Sequence, residues 1–175
     1  MLLSSTDSAK SKPLNFLVLC TGNSARSVMA EALFNHLGAD RIQCFSAGSH
    51  PSGRVNPYAL EQLAYSGIEV GSLHSKSWSE FTRPESPKID VLVTVCAEAA
   101  REVCPVFNGD CEVVHWGLPD PAAVEGSALE ISAAFGDCFE RLSASIDALM
   151  QDLPESADKS TAADQMRSIW LDKTA

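Results

Sequence analysis

Cys20 and Arg26 stand six residues apart in the run Cys20-Thr21-Gly22-Asn23-Ser24-Ala25-Arg26-Ser27. A thiolate is a strong nucleophile, and a guanidinium is a fixed fork of donors that matches oxyanions. On one loop the two can attack and hold a tetrahedral oxyanion. Gly22 allows the backbone to approach a ligand, Asn23 tolerates left-handed dihedrals, and Ser27 can donate to a thiolate. Thr21, Gly22, Asn23, Ser24, Ala25, Arg26 and Ser27 are therefore the expected substrate-binding loop, with Cys20 as the nucleophile. The apolar run Leu14-Asn15-Phe16-Leu17-Val18-Leu19 predicts a buried strand before the loop. Met29, Ala32, Leu33 and His36 recur at helical spacing after it. A loop so placed lies at a helix N-terminus, where the first amides lack intrahelical partners and the helix dipole favours negative charge. That field predicts a Cys20 thiol lowered from ~8.5 to roughly 3.5–7.5.

Further chemistry lies downstream. Gly117-Leu118-Pro119-Asp120-Pro121 follows a predicted strand. Alone, Pro-Asp-Pro reads as turn chemistry; beside a nucleophilic loop it places a general acid, Asp120, at the same sheet edge as Cys20. Cys96 ends the predicted third strand, which in the expected strand order neighbours the first at about 4.8 Å. If residues 97–103 are helical, Cys104 lies roughly 12 Å from Cys96. That is beyond the ~7 Å Cα reach of a disulfide, so the segment must unwind for the two to pair. Cys44, inside a strand, and Cys138, on an apolar helix stripe, read as packing residues. Cys111 follows the turn Asn108-Gly109-Asp110 and reads either as a bystander or as an alternative resolving thiol. The four histidines are scattered, no Cys-x2-Cys occurs, and no metal site is expected.

The elements that must position these groups are legible as alternating strands and helices. Strands are expected at Ile42–Ala47, Val91–Val95 and Glu112–Trp116. A helix capped by Asn56 and Pro57 carries Leu60, Leu63 and Ala64 and ends at Gly67. A long helix shows the stripe Ile131, Phe135, Cys138, Phe139, Leu142, Ile146, Leu149 and Met150. This order predicts a single α/β domain over 14–151, a doubly wound four-stranded parallel sheet of order 2-1-3-4 with helices on both faces. Ligands of such folds bind outside the carboxyl ends of the strands, where Cys20 falls. Residues 1–13 read as a flexible leader and residues 152–175 as an acidic, mobile tail. Within that tail only Met166, Ile169 and Trp170 group as an apolar face, and a short docking helix is the alternative.

Composition narrows the partners. The chain of 175 residues carries a net charge of −10 and is 45% hydrophobic, with no basic patch for nucleic acid or an anionic membrane. No segment has transmembrane length or a signal-peptide core, so the expected place is the cytoplasm. Its six cysteines then read as reactive or packing thiols rather than staples.

The Cys20–Ser27 string resembles the signature loop of the low-molecular-weight tyrosine phosphatase family and of the arsenate reductases built on that fold. Ser46-Ala47-Gly48, Val55-Asn56-Pro57, Ser75-Lys76-Ser77-Trp78, His115-Trp116-Gly117 and Asp120-Pro121 extend the resemblance over residues 14 to about 150. It implies a low-molecular-weight phosphatase-like fold in which Cys20 attacks the oxyanion centre, Arg26 binds its oxygens and Asp120 protonates the leaving oxygen. Cys96 and Cys104 resemble the relay of thioredoxin-coupled arsenate reductases. By that resemblance Cys96 attacks the Cys20 adduct, arsenite leaves, and Cys104 moves the disulfide from Cys20–Cys96 to Cys96–Cys104. The implied activity is cytosolic arsenate reduction without a tightly bound cofactor. An external thiol reductant is needed: thioredoxin, or a glutathione/glutaredoxin or mycothiol system. The alternative is a low-molecular-weight protein tyrosine phosphatase, which uses Cys20, Arg26 and Asp120 alone. Ala122 stands where those phosphatases usually carry an aromatic residue, Ala25 replaces a loop cysteine, and the Cys96-to-Cys104 interval is one residue longer than in the thioredoxin-coupled relatives. Asn23, Glu31 and Ser46 match positions that relatives associate with a monovalent cation.

Overall fold

Strand β1 (Leu14–Cys20) is apolar nearly throughout because both of its faces are covered. A computed structural model describes residues 11–102 and 104–174. In it, Phe16, Val18 and Cys20 point into one core while Leu17 and Leu19 point into another. β1 pairs in parallel with β2 (Ile42–Gly48) on one side and β3 (Val91–Thr94) on the other, and β3 pairs with β4 (Glu112–His115). The order is β2-β1-β3-β4, as the alternation of the sequence predicts. Cys20 is abreast of Gly48 and Leu19 is abreast of Thr94, so the carboxyl ends of the three strands gather around the Cys20 loop.

Five helices are described: α1 (Arg26–Gly38), α2 (Pro57–Tyr65), α3 (Ala97–Arg101), α4 (Ala128–Asp152) and α5 (Lys159–Thr174). Asn56 caps α2 by accepting from the Tyr58 N–H at 3.0 Å, with Pro57 preset for the first turn. Ser127 and Glu130 close a reciprocal capping box on α4. The α4 stripe buries Phe135, Cys138, Phe139, Leu142, Ile146 and Leu149 against the first core, which α1 and α5 also cover.

The two faces are less alike than the expected layers of helices. The second core, around Leu17, Leu19 and Leu92, is closed by Phe81 on a 3-10 turn (Trp78–Phe81) and by Ile89 and Phe107 on irregular chain. Pro84, Pro87 and Pro105 interrupt those segments, and a proline ring in a helix interior both removes a donor and clashes.

The expectation of a mobile tail over 152–175 requires correction. Lys159–Thr174 is a helix that buries Ala162, Ala163, Met166 and Trp170. Trp116 explains why: fully buried, it stacks on Trp170 at 5.3 Å and on Phe34 at 5.9 Å, and its indole N–H donates to the Met166 carbonyl at 3.0 Å. Without α5 that indole would face solvent with its donor unpaired. The expected leader lies outside the described residues for positions 1–10; Ser11 donates to the Glu155 carbonyl at 3.0 Å. Among the described residues, no helix is long and apolar enough to cross a membrane.

Candidate active site

The loop between β1 and α1 is held from behind by its carbonyls. The Thr21 carbonyl accepts from the His50 N–H at 2.9 Å, the Gly22 carbonyl from Ser52 at 2.9 Å and the Ser24 carbonyl from Asn56 at 2.8 Å. A peptide plane turns its N–H opposite to its C=O, so the amides of Gly22, Asn23 and Ala25 are aimed the other way, toward Cys20. The Asn23 N–H does donate to Cys20 Sγ, at 3.1 Å. Helix α1 begins at Arg26 with Ala25 as its cap, which has no side-chain acceptor. Its first-turn amides and dipole are left for an anion. Two special positions shape the turn. Asn23 sits in the left-handed region at φ 44°, and at Gly48 a Cβ would fall 2.5 Å from the Thr21 carbonyl oxygen.

Asn23 is buried and organises the floor. Its side-chain oxygen accepts from the Lys76 N–H at 2.8 Å, and its amide nitrogen donates to Ser27 and Ser46, both at 2.9 Å. Ser27 Oγ accepts from Asn23 and lies 2.9 Å from Cys20 Sγ, where its hydroxyl hydrogen is available to a thiolate. Ser46 in turn donates to the Glu31 carboxylate, and the Lys76 ammonium pairs with the same carboxylate at 3.3 Å. That ammonium supplies the positive charge against Glu31, so Asn23, Glu31 and Ser46 do not fit an open cation site.

The thiol departs from the sequence expectation. Burial pushes the Cys20 thiol above its ordinary value, while the Ser27 hydroxyl, the Asn23 N–H and the Arg26 charge pull it back, and Cys96 adds to the rise. Burial wins because Cys20 is 4% exposed and Arg26 is engaged elsewhere. Arg26 pairs with Asp120 at 3.1 Å and donates to the Leu118 carbonyl at 3.0 Å. Thiolate-stabilising donors are thus in place around a thiol that burial holds above its ordinary value.

Asp120 is brought to the loop by the chain that leaves β4. The Trp116 N–H donates to Thr94 at 2.8 Å and the Leu118 N–H to Val95 at 3.0 Å, carrying the strand direction onward to the acid. Asp120 also accepts from the Ala122 N–H at 3.1 Å, so one carboxylate is fixed between a short 3-10 turn and Arg26.

Cys96 caps α3, accepting from the Ala99 N–H at 3.2 Å, and lies 3.7 Å from the Thr21 hydroxyl. Cys104 is not brought to the loop. The expected helix over 97–103 is shorter, ending at Arg101 ahead of Pro105. What separates the two thiols is the sheet: Cys96 packs in the first core and Cys104 against the second. Sequence reasoning missed the Leu118 carbonyl that holds Arg26 and gave Lys76 no role. The adjacency of Lys76 to the matching Ser75 and Ser77 was its only signal.

Residues 15–160 match the low molecular weight phosphotyrosine protein phosphatase family, and the chain belongs to that family. An arsenate reductase of Halalkalibacterium halodurans is 39% identical over 117 residues, covering 67% of this chain and 81% of that protein. The crystal structure of an arsenate reductase from Archaeoglobus fulgidus matches with a TM-score of 0.57 at 29% identity, over 75% of this chain and 98% of that one. A low molecular weight protein tyrosine phosphatase from T. tengcongensis shares the fold at a TM-score of 0.62 and 24% identity, over 80% of this chain and 99% of that one.

Proposed function

We propose that this chain reduces arsenate to arsenite, with Cys20 as nucleophile, Asp120 as general acid and Cys96 as the thiol that resolves the adduct. The observation that carries the reading is the second thiol at the loop, Cys96, 3.7 Å from Thr21, in addition to the nucleophile that a phosphatase needs. The kinship with the arsenate reductase of Halalkalibacterium halodurans supports it.

The oxyanion enters the amide cradle and draws Arg26 from Asp120. Arg26 and the amides of Gly22, Asn23 and Ala25 hold its oxygens. The approach of Arg26 favours ionisation of Cys20, and Ser27 and the Asn23 N–H stabilise the thiolate that forms. The proton that Cys20 loses passes to the Asp120 carboxylate that Arg26 has left. Sulfur attacks arsenic, Asp120 gives that proton to the departing oxygen as water leaves, and a sulfur–arsenic bond remains. The Cys96 thiolate then attacks Cys20 Sγ. The sulfur–sulfur bond forms, the sulfur–arsenic pair goes to arsenic, and arsenite leaves. Arsenic is reduced by two electrons and the two thiols are oxidised to one disulfide. Cys104 takes over that disulfide once the α3 segment unwinds and lets Cys96 and Cys104 meet, and a thioredoxin-type dithiol in a reducing cytoplasm restores the enzyme, with glutathione/glutaredoxin or mycothiol as alternative reductants.

Phosphomonoester hydrolysis is the second reading, because Cys20, Arg26 and Asp120 also suffice for it. The exposed Ala122 beside Asp120 gives an aryl group no stacking partner there. Arsenite production measured with each thiol system in turn, beside aryl-phosphate hydrolysis, separates the two. The expected result is arsenite turnover with a thioredoxin system and slow ester hydrolysis. Fast ester hydrolysis without arsenite would reverse the assignment.

A further inference from the structure

Cys111 is used by none of these steps, yet it is the thiol that shares Cys104's surroundings. Both are partly buried at the edge of the second core, against the cluster that contains Ile89, Leu92 and Phe107. The chain joining them is folded back on itself. Phe107 inserts into that core, the Asn108 carbonyl accepts from the Ile89 N–H at 2.8 Å, and Gly109 turns at φ 99° before Cys111 leads into β4. Cys104 before this turn and Cys111 after it both pack against the same second core. Cys20 and Cys96, at 4% and 5% exposure, belong to the opposite core.

We infer that Cys104 and Cys111 form a disulfide that is the terminal station of the relay, the one from which an external dithiol collects the oxidation. This inference rests on the reductase reading above for the steps that precede it. The Cys111 thiolate attacks Cys104 Sγ in the Cys96–Cys104 disulfide. The Cys104–Cys111 bond forms, the Cys96–Cys104 bond breaks, and Cys96 departs as a thiolate and takes up a proton. The proton lost from Cys111 goes to solvent, and no net oxidation occurs because one disulfide replaces another.

The surroundings suit this exchange. The charge of Cys111 is felt at Cys104, whose thiol is raised by burial first, then by Glu102 and by Cys111. Burial raises the Cys111 thiol, Asp110 and Glu112 add to the rise, and Lys159 of α5, paired with Asp110 at 3.4 Å, opposes it. Val106, between the two cysteines, is 90% exposed, so the loop presents an apolar surface at the place where the oxidation would leave.

The test has two arms. In the first, reduced wild-type protein is given arsenate without reductant, alkylated, and cleaved with trypsin and endoproteinase Asp-N, which cuts before Asp110 and so separates the two cysteines. The inference predicts that Cys104–Cys111 exceeds Cys96–Cys104 by about tenfold, a difference of roughly 30 mV in potential, and that Cys111→Ser instead accumulates Cys96–Cys104. Wild-type protein with Cys111 fully alkylated and only Cys96–Cys104 formed would overturn it. In the second arm, the Cys20→Ser, Cys96→Ser protein is equilibrated in dithiothreitol redox buffers without arsenate. An internal Cys104–Cys111 disulfide is expected, and a pair that stays reduced across the series would overturn the inference even if arsenite is released. Absence of arsenite in the first arm together with a disulfide in the second would instead strike the reductase reading.

Discussion

At the scale of single residues, the site is a set of donors assembled before the charge they serve. Ser27 accepts from the Asn23 amide and lies 2.9 Å from Cys20 Sγ, so its hydroxyl hydrogen is available to the thiolate. Burial nevertheless keeps the thiol above its ordinary value, and Ser27 is the largest opposing influence, ahead of the Asn23 N–H and Arg26. Removing a group that lowers the thiol must raise it. The alkylation midpoint of Cys20 should therefore move upward in Ser27→Ala and, by a smaller amount, in Arg26→Ala, measured as alkylation rate against pH. Midpoints that fall in these variants would refute the hydrogen-bond assignment. Asp120→Asn keeps the shape but cannot protonate the leaving oxygen, so turnover should drop roughly 10²–10⁴-fold. Unchanged turnover would leave Asp120 as a partner of Arg26 alone. The identity of the loop was legible in the sequence because cysteine, glycine and arginine at that spacing have a direct chemical meaning. The direction of the thiol shift was not, since it depends on burial by residues far along the chain and on a salt bridge between Arg26 and Asp120 that spans β3 and β4.

At the scale of elements, strands and amphipathic helices were readable because their periods are local. The β1 run, the Asn56-Pro57 cap and the α4 stripe all occur where the pattern puts them. Two elements were misread for physical reasons. α3 stops at Arg101, ahead of Pro105, whose ring disfavours helical backbone at the residue before it, and five residues carry too little periodicity to reveal that. α5 is polar by composition, and its small buried face of Ala162, Ala163, Met166 and Trp170 matters only because Trp116 waits beneath it. It also lies almost wholly beyond the residues matched to the family. Trp170→Ala removes the stacked ring over Trp116 and should cost about 3–5 kcal/mol, read from urea unfolding. A loss below about 1 kcal/mol would mean that α5 is a loosely attached appendage.

At the scale of the whole molecule, buried thiols tie folding to alkalinity. Burial pushes the Cys138 thiol from its ordinary 9.0 up to about 12, and Cys44 and Cys20 move in the same direction for the same reason. Below the ordinary value both folded and unfolded chains keep the proton. Above it the unfolded chain loses the proton while the folded chain holds it. Stability should therefore fall as pH rises from 9.0 toward about 12, by about 1.4 kcal/mol per pH unit for Cys138, with Cys44 and Cys20 adding to the fall above the ordinary value. Urea unfolding from pH 8 upward checks the slope, and Cys138→Ala should make it shallower; a flat profile would contradict the burial of these groups. The fold as a whole places one thiol at the strand ends, a second beside it, and two more across the sheet. The most direct test of that arrangement is single-turnover arsenite release from reduced enzyme without added reductant, comparing wild type with Cys96→Ser. The account predicts one arsenite per wild-type chain and almost none from Cys96→Ser, with the oxidation held as a disulfide. Equal release from both proteins would contradict it, because Cys20 would then need no neighbouring thiol.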